Sequence, residues 1–220
     1  MSVASTGGEF HCDEPGGRNY APLIEALLLL AVTLPLALWL QLPTLWLLTP
    51  LLLIAFTGRS QADYGLSWEK HGGLRFHLAV CGTIFVPYVI GHYAFGRYWL
   101  GAPFQLRLPQ NYLSLIVDQL LIVGLSEETF FRGYLQTQCD RVWGRPWQFV
   151  GAQWGIGLPI SAILFALCHI VHGGPARLVV FFPGLWYGWL RARTDSIVVP
   201  SIYHAVSNLL MSIMLTSFAL

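Results

Sequence analysis

Three short clusters of ionisable and amide residues stand within otherwise apolar sequence: Glu127-Glu128-Thr-Phe-Phe-Arg132, Phe165-Ala-Leu-Cys-His169 and His204-Ala-Val-Ser-Asn208. An ionisable group in such a setting is expensive to desolvate, so it requires a partner, a water-filled cavity or a chemical task. Spacing separates the two glutamates. Glu128 and Arg132 stand at i and i+4, share a helix face and can neutralise one another. Glu127 is turned about 100° away. Its own i+4 neighbour is Phe131, so it is free to meet a group from another helix, and two histidines in apolar segments are available. His204 and Asn208, again four apart, project hydrogen-bond donors toward one place, as an oxyanion site requires. Phe165 and His169 share a face in the same way. Singly, each of these is an ordinary polar contact between helices; three such faces in one apolar chain are hard to explain as packing.

The elements that must position them are membrane helices. Residues counted as hydrophobic make up 55% of the 220 and charged residues 10%, against roughly 25% charged in soluble domains. So few charges cannot cover a water-soluble globule of this size, and most of the outer surface must face lipid. A crossing needs roughly 20 mainly apolar residues. The expected fold is therefore all-α, a polytopic helix bundle of about seven spans (six to eight). These run over about 21–40, 43–56, 76–95, 112–138, 158–172, 176–190 and 197–220. Residues 1–20 read as a polar tail without the order of a signal peptide, so the first span is expected to be retained as an anchor. Residues 21–220 read as a single domain with its motif core at about 120–210.

Glycines and Pro159 interrupt the apolar character after Trp147. Residues 147–156 are therefore expected to be interfacial or re-entrant, with the fifth helix starting near Leu158. The polar cavity is expected between the fourth, fifth and seventh segments. With seven spans, eight of the twelve basic residues fall on the side of the N-terminus, three on the other, and Arg132 within a span. That bias puts the N-terminus in the cytoplasm. A net charge of +1 gives no reason to expect nucleic-acid binding. The four cysteines, Cys12, Cys81, Cys139 and Cys168, lie far apart and read as reduced packing residues.

The motif order EExxxR, FxxxH, HxxxN, here EETFFR, FALCH and HAVSN, resembles that of the CPBP (CAAX protease and bacteriocin-processing) family. The Phe-Arg-Gly-Tyr-Leu-Gln that follows the glutamates is also similar to it. The likeness covers about residues 120–210 and implies a glutamic-type intramembrane endopeptidase. By that resemblance Glu127 is the general base that activates a water, and His169 helps hold it. His204 and Asn208 stabilise the oxyanion, Glu128 and Arg132 support the site as an ion pair, and Phe165 shapes the cavity. The expected partners are the bilayer and a peptide or protein substrate, including lipidated or membrane-anchored C-termini; the expected location is a bacterial inner membrane. CAAX-type processing, sorting-signal processing and bacteriocin maturation or immunity are all open.

No cofactor is required in this reading. The nearest rival is a zinc peptidase in which Glu127, His169 and His204 are ligands, although no HExxH helix is present. Gly124-Leu-Ser126 is followed by Glu127, not by the glycine that a rhomboid-type serine motif calls for. Cys168 is about 100° from His169 on a helix, which argues against a cysteine protease. A transporter or a non-enzymatic immunity protein is the reading from another class, but no internal repeat of a transporter kind is present.

Overall fold

A computed structural model describes residues 18–67 and 73–218, without the side chain of His172. Most of the polar tail, with Cys12, and also Lys70 and the last two residues of the seventh expected span lie outside the described residues. Among the described residues seven helices make up the bundle. They are α1 (Ala21–Leu40), α2 (Leu45–Phe56), α3 (Leu74–Trp99), α4 (112–143), α5 (Gly157–Gly173), α6 (Phe181–Thr194) and α7 (Val198–Phe218). Three of them, α1, α3 and α7, are long and apolar enough to cross a membrane by themselves. The protein is an all-α membrane helix bundle.

Most boundaries follow from composition. Pro22 sits in the first turn of α1, where a missing N–H removes no helix bond. Helix α1 ends at Gln41, in the left-handed region at φ 52°. The sixth span differs from expectation: residues Pro175–Val180 form a tight 3-10 turn, and α6 proper begins at Phe181. The stretch after Trp147 also differs. It is a two-stranded antiparallel hairpin, Trp147–Phe149 with Ala152–Trp154. Val150 and Gly151 both take positive φ, 45° and 73°, the backbone of a two-residue hairpin turn. Trp147 and Trp154 meet across it with ring centroids 4.9 Å apart.

Helix α4 is irregular where it matters. A single α-helical turn, Leu125–Glu128, carries both glutamates and is flanked by wide π-helical stretches, Asp118–Gly124 and Thr129–Leu135. Such i→i+5 segments are rare and frequently lie at functional sites.

Apolar burial gives little net gain against lipid tails, so close contacts and polar bonds must fix the helices. Trp46 of α2 packs on Phe130 and Phe131 of α4, with centroids 4.8 and 5.2 Å away. Ser161 of α5 donates to the Phe131 carbonyl at 2.7 Å. Thr33 and Thr49 join α1 to α2 at 3.0 Å. Glu25 of α1 ties the N-terminal hairpin to α4: it accepts from Arg59 at 2.5 and 2.7 Å, from Gln138 at 2.7 Å and from the Tyr134 hydroxyl.

Helices α4 and α7 cross at Gly124. A Cβ there would lie 2.8 Å from the Ser201 carbonyl oxygen and 3.6 Å from the Ala205 nitrogen. Gly124→Val therefore forces backbone away from backbone. The expected result is a loss of about 1–3 kcal/mol from overpacking, read by thermal unfolding in detergent.

Candidate active site

The three motif helices meet at Glu127. Its Oε2 lies 3.9 Å from His169 Nε2 on α5 and 3.8 Å from His204 Nε2 on α7. That oxygen is buried and has no direct hydrogen-bond partner among the described residues. Distances of this size exceed a hydrogen bond and suit a single bridging water. A cavity of about 40 Å³ adjoins Glu127 and His169, room enough for water, which needs about 10–15 Å³.

The far ring nitrogens fix which protons the histidines carry. His169 Nδ1 lies 2.9 Å from the Phe165 carbonyl oxygen. A carbonyl only accepts, so Nδ1 carries the proton and a neutral His169 turns a lone pair toward Glu127. His204 Nδ1 lies 2.8 Å from Glu128 Oε1 and donates to it in the same way. Glu128 therefore does more than neutralise Arg132. The same Oε1 accepts from Arg132 at 2.8 Å, so one carboxylate oxygen joins the ion pair to a site histidine. Because its Nδ1–H is used on Glu128, His204 can donate to an oxyanion only as the doubly protonated ring.

Aromatic rings hold these groups in place. Tyr187 of α6 stacks on His204, centroids 4.9 Å apart and 14° from parallel, and Phe165 meets His204 edge-on at 5.9 Å. Phe165 also packs on His169 at 4.4 Å. The fully buried Arg132 guanidinium lies 4.3 Å from the Phe165 ring centre and 5.3 Å from that of Tyr187. It donates to the Gly184 carbonyl at 3.1 Å. A Cβ on Gly184 would lie 3.2 Å from the guanidinium, so the absent side chain permits that approach.

Three features differ from the sequence reading. The polar cluster lies between α4, α5 and α7, but the open space beside it lies toward the N-terminal hairpin, against Leu34, Ala37 and Leu38 of α1 and Trp46 of α2. Cys168 borders the same cavity as His169, because the space wraps round α5 by more than one residue's angle. Asn208 has a partner that its motif does not disclose: its amide nitrogen donates to Gln119 Oε1 on α4 at 2.7 Å. Among the described residues no group of three or more His, Cys, Asp or Glu is spaced to hold a metal ion. Glu25, Gln119 and Tyr187 were not singled out from sequence. For Glu25 and Gln119 the signal was present, a charged or amide residue in an apolar run.

Residues 109–210 match the family described as type II CAAX prenyl endopeptidase Rce1-like. They form an Rce1-like domain. All three motifs of the site, and Gln119, fall inside it, in agreement with the resemblance carried by EETFFR, FALCH and HAVSN. No curated protein and no solved structure matches the chain. The Rce1-like domain begins after α3, so the α1 and α2 residues that wall the cavity lie outside the matched span.

Proposed function

We propose that this protein is an intramembrane endopeptidase in which Glu127 activates a water for attack on a peptide carbonyl. The observation that carries the reading is the buried, unpartnered Glu127 Oε2 facing two histidine Nε2 atoms at 3.8 and 3.9 Å. A water held there donates to Glu127 Oε2 and to the His169 Nε2 lone pair and presents its oxygen outward. Glu127 takes the proton as attack proceeds and returns it to the leaving amine, as a general base then acid. His169 holds the water. His204, protonated on both nitrogens and braced by Glu128, stabilises the oxyanion together with Asn208. The substrate is a peptide or protein with a membrane-anchored or lipidated C-terminus, reached from the bilayer. The reading places the N-terminus in the cytoplasm of a bacterial cell, on the basis of the arginine and lysine bias.

The test is to reconstitute the protein in vesicles with a lipidated C-terminal peptide and identify the cleaved bond by mass. Persistent absence of cleavage by folded protein across lipidated, sorting-signal and bacteriocin-precursor peptides favours an immunity or transport role instead.

A zinc reading has one observation in its favour. Both histidines donate their far nitrogen to an oxygen acceptor, the support that metal-bound histidines usually have. The two readings part on metal content. Protein purified and assayed in chelator is expected to keep its activity and to hold well under one zinc per chain. Activity that disappears with a removable, stoichiometric zinc and returns on its addition makes Glu127, His169 and His204 ligands.

A further inference from the structure

We infer that Gln119 is a positioning residue that sets which end of the Asn208 amide faces the reacting centre. The inference rests on the reading of Asn208 as an oxyanion donor. Asn208 Nδ2 donates to Gln119 Oε1 at 2.7 Å. Both residues lie in apolar helices, Gln119 within the run Tyr112–Gly124 of α4, where an amide without a partner is costly.

Local geometry brings them together. Eight residues of regular α-helix would leave Gln119 and Glu127 about 80° apart around α4. The wide turns of Asp118–Gly124 rotate less per residue and take up that difference. Both side chains consequently face α7. Gly124, the contact point of the two helices, has the Gln119–Asn208 bond on one side and the Glu127–Glu128–His204 group on the other.

The chemical consequence concerns polarity. The last torsion of asparagine is broad and roughly two-fold, so an unheld amide presents either its NH₂ or its oxygen. An oxygen turned to the site repels the developing oxyanion. An acceptor at position 119 selects the orientation with NH₂ toward α4, and the second N–H of the same nitrogen stays available to the substrate. Gln119 touches neither water nor peptide in this scheme and acts only through Asn208.

The experiment compares purified variants on one peptide, with folded yield and thermal unfolding measured alongside. Asn208→Ala is expected to lower kcat by about 10²–10³ as a lost oxyanion donor. Gln119→Met, which keeps length in an apolar segment but removes the acceptor, is expected to lower kcat by about two- to tenfold, the worth of one neutral hydrogen bond, with KM little changed. Gln119→Glu, which keeps an acceptor, recovers most of that loss. In the Asn208→Ala background Gln119→Met has no further effect, because the group it acts through is gone.

Gln119→Glu performing no better than Gln119→Met overturns the inference, and so do losses that multiply in the double variant. Full kcat in Asn208→Ala removes the oxyanion reading itself. The single-variant and double-variant arms thus tell the two failures apart.

Discussion

Glu127→Gln is expected to abolish peptide cleavage while the protein stays folded in the membrane. Glutamine matches glutamate in size, and Glu127 Oε2 makes no direct hydrogen bond that the substitution would break. Its neighbours His169 and His204 stand at 3.9 and 3.8 Å, a spacing an amide tolerates. What is lost is the proton acceptor. General-base catalysis contributes about 10²–10⁴-fold, so kcat/KM should fall by about that factor while thermal unfolding moves little. Full activity in this variant would place the base elsewhere and leave the cluster as a packing device.

Arg132→Ala is expected to do the reverse, striking the fold first. Both members of the Glu128–Arg132 pair are fully buried, and removing one partner of such a pair costs about 3–5 kcal/mol through the charge left behind. Among the described residues Glu128 would keep only His204 as a hydrogen-bond partner, and the contacts of Arg132 with Phe165, Tyr187 and the Gly184 carbonyl would disappear together. Folded yield from detergent and thermal unfolding report the loss. An Arg132→Ala protein of normal yield and stability would contradict the structural role given to the pair.

Much of this arrangement was legible in the sequence, and for local reasons. The limits of α1 coincide with an apolar run closed by Gln41 and opened by Pro22. The pairing of Glu128 with Arg132 follows from four-residue spacing alone. The grouping of Glu127 with two histidines followed from having charges with no local partner in a medium that tolerates none. The matched span 109–210 then agrees with the motif order. What could not be read depends on register between helices. Nothing in HAVSN says that His204 Nδ1 lands on Glu128 or that Asn208 meets Gln119, since each contact depends on how far α7 slides along α4 at Gly124. The hairpin at 147–154 lacked the Asn-Gly or Asp-Gly turn that announces one. Glu25 stands alone in its apolar run, and its partners Arg59, Tyr134 and Gln138 are too distant in sequence for spacing to disclose them.

The division of labour around the cavity bears on how such a protein can diversify. Every group given a part in the reaction lies within the Rce1-like span. The surface opposite them, Leu34, Ala37 and Leu38 of α1 and Trp46 of α2, comes from a helical hairpin upstream of it. The hairpin is anchored to the reacting half chiefly through Glu25 and the aromatic contacts of Trp46. Mutational drift in the hairpin can therefore reshape what fits into the cavity beside Glu127 and His169 without disturbing the residues of the polar cluster. On the proposed function, chemistry and selectivity are inherited from different stretches of the gene, and two chains that share this domain need not share a substrate.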